Sequence, residues 1–368
     1  MQKIDVIKKV EVYLVTEPVG GNLADATRNV SSIGFTIVKL TTDQGREGIG
    51  VTYNEVGGDA VKCLIENSIA PQLIGRTPFE TEKLWYEMFG YLRGVGRKGA
   101  TFCALSAVDI AMWDLKGKIA GLPLYRMFGG TSNRVKVYAS GGWTSYDDDE
   151  LVDEMKMMVG RGFDAVKFKV GVEGGKNYKR DLVRVGKVRE ALGPKVTIML
   201  DANNCWDAST GARFANEVKC YDVAYLEEPV FADDIPGLIK YKRSTDLPLA
   251  SGEHEYTKYG ARDLVLSEAV DIVQIDGTRA GGFTEMLKIA AITQAWNLKL
   301  APHAMEMMHM HLIAAFNNCP FAENLLLFDG VTDKTFKNRP KPVNGYIEIP
   351  EKPGLGLELD MDFVKKGN

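Results

Sequence analysis

Paired cysteine, histidine, basic charge and long apolar runs are all scarce in this 368-residue chain, and each scarcity removes a class of function. The five cysteines (Cys63, Cys103, Cys205, Cys220 and Cys319) are scattered, odd in number and form no CxxC. They offer neither a disulfide framework nor a zinc site, which suits a reduced, cytoplasmic protein. Four histidines (His254, His303, His309 and His311) leave few candidates for imidazole chemistry. A formal net charge of -4 gives no basic footprint, so neither nucleic acid nor an anionic membrane is an expected partner. No apolar run approaches the ~18 residues of a membrane span. The stretch from Met1 to Val15 lacks the apolar core and small-residue cleavage site of a secretory leader. What remains, 45% hydrophobic and 26% charged residues, is the balance of a soluble enzyme long enough for two domains.

The rhythm of the chain changes once. DVIKKVEVYLVT and SIGFTIVKLTTDQGREGIGVTY alternate β-branched residues around a DQG turn and predict an antiparallel meander. A helical pattern follows from Lys98 to Ala120 and stops before Gly121-Leu122-Pro123. Residues 1–132 therefore read as an α+β capping domain. From Val135 onward short apolar strands alternate with amphipathic helices. The strands are VKVYASG, AVKFKVG, VTIMLDAN, VAYLEEP, PLASGEH, DIVQID, LKLAPH and FAENLL. Eight strands with seven intervening helices predict a parallel sheet that closes as a (β/α)8-type TIM barrel over 133–328, its last helix degenerate. An open doubly wound sheet is the competing architecture. The tail, 329–368, is rich in Pro and Gly and reads as extended segments (GYIEIP, GLGLELD) returning to the capping domain.

Polar residues fall at the C-terminal ends of successive strands, the face where barrel enzymes keep their sites. Lys167 and Lys169 end the second strand, Asp201 and Asn203 the third, Glu227 the fourth and Glu253 the fifth. Asp276 ends the sixth, His303 the seventh, and Glu323 lies in the eighth. Asp201, Glu227 and Glu253 are separated by 26 residues each time, one βα repeat. Three converging carboxylates repel one another and call for a cation, and an all-oxygen set favours Mg2+ before Mn2+. Glu228 competes with Glu227, but strand alternation points it to the opposite face. Glu255 competes with Glu253 from beyond the strand end. Lys167 and Lys169 share a face, and Val166, Phe168 and Val170 claim the other, so both lysines point into the barrel. Two neighbouring ammonium groups lower each other's pKa, which predicts a base near neutrality. Asp276 and His303 make a dyad in which the carboxylate orients the imidazole. His309 and His311, in MEMMHMHLIAA, read as packing residues, and His254 as a candidate for the mouth. Gly-rich loops near Pro18–Asn22 and Tyr53–Gly58 are candidate lids, with Tyr53 a candidate substrate contact.

Over essentially its whole length the chain resembles the enolase superfamily, in its mandelate racemase-like subgroup. ALSAVDIAMWDLKGKIAGLPLYRMFGG is similar to that family's cap-to-barrel sequence. VKFKVG resembles its Lys-x-Lys motif, and LDANN, LEEP and SGEH its three metal-ligand motifs. APHAMEMMHMHLIAAF is most like members that dehydrate acid sugars, of the galactarate and talarate type. The resemblance implies one Mg2+ per subunit on Asp201, Glu227 and Glu253. It implies a base at Lys169, and Lys167 beside the substrate carboxylate. His303 with Asp276 would serve the other face, Glu323 would donate to the enediolate, and Asn203 would contact substrate. It also implies a small-molecule carboxylate substrate and a homo-oligomer. Dehydration to a 2-keto-3-deoxy acid is the expected reaction, and racemisation or epimerisation of a 2-hydroxy acid is the alternative. A Schiff-base aldolase using either lysine, which needs no metal, and a non-catalytic binding barrel are the readings from other classes.

Overall fold

The computed structural model describes residues 4–367, so Met1–Lys3 and Asn368 of the expected first and last segments lie outside the described residues. Three antiparallel strands, β1 (Ile7–Ala24), β2 (Asn29–Thr42) and β3 (Glu47–Asn54), form the meander that the alternation predicts. The first candidate lid, Pro18–Asn22, is not a loop. It belongs to β1, whose ladder with β2 shifts register between Pro18 and Leu23, and the actual turn is Asp25–Arg28. The helix Ala100–Ala120 is buried on nearly every side because the sheet takes one face and the barrel the other. Gly48 and Gly50 permit its approach: a Cβ at either would lie 2.5 Å and 2.1 Å from the carbonyl oxygens of Ala111 and Ala107. Gly121, left-handed at φ 72°, ends the helix where the sequence places its stop.

The eight parallel strands are β4 (Arg134–Gly141), β5 (Ala165–Lys169), β6 (Thr197–Asp201), β7 (Val223–Glu227), β8 (Leu249–Ser251), β9 (Ile272–Val273), β10 (Lys299–Leu300) and β11 (Ala322–Leu325). Each pairs with its sequence neighbour from β4 to β10, and β11 returns to pair with β4. A doubly wound sheet would reverse this order at a switch point, and none occurs. The sheet curls because alternate side chains of all its strands meet inside. Tyr138, Ala165, Met199, Tyr225, Ala250, Ile272 and Ala301 form one interior cluster, with Phe321 packed on it just before β11. Val166, Phe168, Ile198, Leu200, Leu226, Leu249 and Val273 face the helices instead. Lys167 and Lys169 thus point inward, as the parity of their neighbours requires.

The tail divides its loyalties. GYIEIP does not pack on the cap. It supplies β12 (Tyr346–Glu348), antiparallel to the first half of β4, and Ile347 and Ile349 join the core between barrel and helices. Leu355, Leu357 and Leu359 do return to the cap, in a cluster with Val15, Phe35 and Ile37. Where the barrel's last helix is expected, after β11, lies the seven-residue helix Asp329–Thr335, and its Val331 packs in that same cluster. The barrel's last helix is degenerate because its apolar face serves the cap. Among the described residues no helix is long and apolar enough to cross a membrane.

Candidate active site

Parallel register brings the strand-end side chains into a row: Lys169 is paired with Asp201, and Asp201 with Glu227, across β5, β6 and β7. Lys169 Nζ donates to Asp201 Oδ2. Lys167 Nζ donates to Glu227 Oε2 at 2.5 Å and lies 2.8 Å from Glu323 Oε1. Burial works against both ammonium charges, but the facing carboxylates prevail and hold both above the ordinary lysine value. Lys167 does lower Lys169 as expected, but the facing carboxylates outweigh that effect, so the expected base near neutrality is not found in this arrangement.

The carboxylates divide according to their partners. Burial pushes Glu227 up to about 8, with Asp201, Glu323 and Glu253 adding to the rise. Burial also opposes the charge on Glu253, but His303, His254, Arg279 and Lys169 together hold it well below the usual range. Glu323 accepts from Ala304 N at 2.8 Å, and against the cost of burial Lys167 and His303 hold it below the usual carboxylate range, a direction that opposes the protonated state a donating role needs.

The expected dyad is present. His303 Nδ1 lies 3.1 Å from Asp276 Oδ2, and its Nε2 lies 3.2 Å from Glu253 Oε2. Burial disfavours the imidazolium, yet Glu253 and Asp276 prevail and raise His303 to about 9. Asp276 is itself held by Thr278 N and Oγ1 at 2.7 and 2.8 Å. His309, read from sequence as packing, does more. Its Nδ1 donates to Ala304 O at 2.9 Å and its Nε2 accepts from Gly277 N at 2.9 Å, so one neutral ring joins the segments carrying His303 and Asp276. His311 is packed, with Tyr125 N on Nδ1 and Leu355 O on Nε2.

Glu228 departs from strand alternation. Its φ of +42° turns it back toward the mouth, where Asn204 Nδ2 donates to it and His254 Nε2 lies 3.6 Å away. Glu228, Glu253 and His254 bring one ligand atom each within 4.8 Å of one another. Glu255 instead pairs with Lys98 at 3.8 Å and lines a different surface cavity, which removes it as Glu253's competitor. Sequence reasoning also missed Gln274, whose Nε2 donates to Glu227 Oε2 at 2.9 Å, and Arg279, which donates to Tyr53 Oη at 3.0 Å beside Glu253. Gln274 follows a strand end, a position that could have flagged it. Arg279 had no such signal.

A cation fits this mouth. Buried oxygens without a partner gather here: Glu227 Oε1, Glu228 Oε1, Asn203 Oδ1, Asn204 Oδ1 and Gln274 Oε1. All five are acceptors, and an excess of buried acceptors is what a hard, oxygen-liganded ion satisfies. Asp201, Glu227 and Glu253 could hold it. A narrow cavity above is lined by Lys169, Asn203, Glu253 and His303 from the barrel and by Asp25, Arg28, Val30, Tyr53 and Glu55 from the cap. Tyr53 sits 6.0 Å, ring to ring, from His303. The second candidate lid thus covers the site, and the first does so through its turn rather than Pro18–Asn22.

Residues 150–363 match the family described as Enolase C-terminal domain-like. Residues 9–129 match the Mandelate racemase / muconate lactonizing enzyme, N-terminal domain. The chain belongs to the enolase superfamily. Enzymes of this superfamily use Mg2+. The chain is 31% identical to a 3,6-anhydro-alpha-L-galactonate cycloisomerase of Streptomyces coelicolor, over 97% of this chain and 98% of that protein. It is also 31% identical to the L-talarate/galactarate dehydratase of Salmonella typhimurium, over 96% and 89% respectively. Among solved structures, a racemase from Streptomyces coelicolor with bound magnesium superposes with a TM-score of 0.93 at 30% identity, over 98% of this chain and 99% of that one. Superfamily membership accounts for the strand-end acids and lysines together, which the aldolase and binding-protein readings do not.

Proposed function

We propose that this enzyme removes the proton α to the carboxylate of an acid sugar and expels the β-hydroxyl, giving a 2-keto-3-deoxy acid. The observation that carries the reading is the shared cavity: Lys169 and His303 both line it, with Glu253 3.2 Å from His303 Nε2. Its chemical neighbours support dehydration, since relatives include talarate/galactarate and arabinonate dehydratases. Asp201, Glu227 and Glu253 would hold Mg2+, which supplies positive charge to a bound carboxylate and so acidifies its α-proton. Asp201 would share its charge between that cation and Lys169, and Lys169 takes the α-proton from its side of the cavity. His303, oriented by Asp276 and in its protonated form, gives its proton to the departing hydroxyl, which leaves as water. Lys167 adds charge beside the developing enediolate. Glu323 holds Lys167 and the Ala304 amide in place rather than donating. Asn203 and Tyr53 contact substrate from barrel and cap.

A division at 1–132, 133–328 and 329–368 suits this reading, because the return of Leu355–Leu359 fastens the cap over the mouth. Epimerisation is the second reading, supported by the same two groups and by a relative described as a racemase. A screen of mono- and diacid sugars with Mg2+ tests the proposal. Dehydration yields a semicarbazide-reactive keto acid, while epimerisation yields only an inverted α-centre. Turnover that survives in both Lys169→Ala and His303→Asn would refute the mechanism.

A further inference from the structure

Resting on that reading, we infer that the cap selects an acid sugar with a single carboxylate over the diacid of the same configuration. The substrate carboxylate and α-carbon belong at the barrel side, by Lys169 and His303. The rest of the molecule must then reach toward Asp25, Arg28, Val30, Tyr53 and Glu55, the cap residues of the same cavity. A second carboxylate at that end needs a cation, and among the described residues Arg28 is the cap cation that lines this cavity.

Arg28 is already claimed twice. Its guanidinium lies 2.6 Å from Glu55 Oε2 and donates to Glu55 Oε1 at 3.0 Å, while its Nε donates to Asp25 Oδ2 at 3.2 Å. Two carboxylates against one guanidinium leave this end of the cavity negative. The adjoining wider cavity, about 370 Å³, repeats the pattern. Its other cap cation, Lys98, lies 3.2 Å from Asp233 and 3.8 Å from Glu255. Arg279 is taken up by Tyr53 and by Glu253 at 3.9 Å. A second carboxylate would have to displace Glu55 from Arg28 or face it unpaired. Hydroxyl groups meet no such conflict, because they donate to Asp25 and Glu55 and accept from Arg28. Like-charge opposition of this kind discriminates through the rejected ligand.

Matched pairs decide it: gluconate against glucarate and galactonate against galactarate, each with Mg2+. Both kcat/KM and calorimetric binding are read, for the native enzyme and for Glu55→Gln. Glu55 is the right position because its side chain engages Arg28, whereas Asp25 also caps the turn through Thr27 N and Arg28 N. The monoacid is expected to win by at least about tenfold in whichever pair has the accepted configuration. Glu55→Gln is expected to shrink that ratio by strengthening the diacid. A diacid that equals or beats its monoacid overturns the inference, and so does a ratio unmoved in a folded Glu55→Gln. Should that variant not fold, the native ratio alone decides. If no acid sugar turns over, the dehydratase reading fails, and the binding ratio still judges the inference. Absence of any preference in binding counts against it.

Discussion

Lys169 shows why residue identity and residue state have to be separated. Parity placed it inside the barrel, and that placement holds, but its charge is set by Asp201 rather than by Lys167. The His303–Asp276 pair was legible because each residue lies three positions past a strand end and the two strands, β9 and β10, are adjacent. Glu228 was not legible. Alternation assumes an extended chain, and a left-handed residue at the strand end reverses the direction that alternation assigns. At this scale the dyad makes a firm prediction. Asp276→Asn keeps a hydrogen-bonding side chain against His303 and Thr278 but removes the charge that orients and stabilises the imidazolium. We expect kcat to fall by roughly 10²–10⁴ with a much smaller change in KM. The basic limb of the pH profile, set by His303, should move to lower pH, because Asp276 is one of the groups that raise it. Steady-state kinetics with a far-UV CD control checks this, and an equal loss in KM alone would assign Asp276 to binding.

At the scale of elements, strand ends and the long cap helix were readable because period and stop signals agree there. The cap turn and the tail were not. Pro18–Asn22 looks like a loop by composition, but it is a bulge within β1, held between the Pro18–Ser32 and Leu23–Val30 pairs with β2. GYIEIP looks like a return to the cap, but its Ile347 and Ile349 find an apolar place beside β4 first. One residue ties three such elements. His311, on the helix Glu306–Ile313, accepts from Tyr125 N at 3.2 Å and donates to Leu355 O at 3.1 Å. Burial lowers it to about 4, the Leu355 carbonyl offsetting only part of this. The folded value lies below the ordinary histidine value of 6.5, so the folded state binds fewer protons over that interval. Stability from this site is complete above about pH 6.5 and is lost as pH falls toward 4, by on the order of 3 kcal/mol. His311→Gln, which retains a donor and an acceptor, should flatten that slope. Urea midpoints from pH 8 to 4.5 measure it. Asp109, raised to about 7 by burial, slopes the opposite way, so only the difference between native and variant curves reports on His311. Parallel curves would show that His311 does not carry the acid sensitivity.

The whole molecule behaves as a barrel that is incomplete without its cap. Trp85 Nε1 donates to Gly281 O at 2.8 Å, and Asp109 accepts from Thr284 N at 2.9 Å. Ser106 Oγ accepts from Gly281 N at 2.7 Å, so three cap residues grip the start of one barrel helix. Gly282 leaves no room for a side chain there: a Cβ would lie 2.3 Å from Asp109 Oδ2. The grip follows shortly after Asp276 and Arg279, and Arg279 in turn holds Tyr53 of the cap beside Glu253. A third joint is the cluster in which Val15 and Phe35 of the cap, Met307 and Leu325 of the barrel and Leu357 of the tail share one core. Such shared packing predicts that cap and barrel unfold together. A cation at Asp201, Glu227 and Glu253 binds only the folded arrangement, so by mass action it stabilises the cooperative unit by about 2.7 kcal/mol at a hundredfold excess over its Kd. Mg2+ should therefore move one thermal transition upward by roughly 3–4 °C, EDTA should reverse the shift, and Glu227→Gln should diminish it. Tryptophans report from both parts, Trp85 and Trp113 from the cap and Trp143, Trp206 and Trp296 from the barrel. Fluorescence and far-UV CD should consequently trace the same midpoint with and without the ion. Two transitions, of which Mg2+ moves only one, would mean that the cap closes over the site without depending on it.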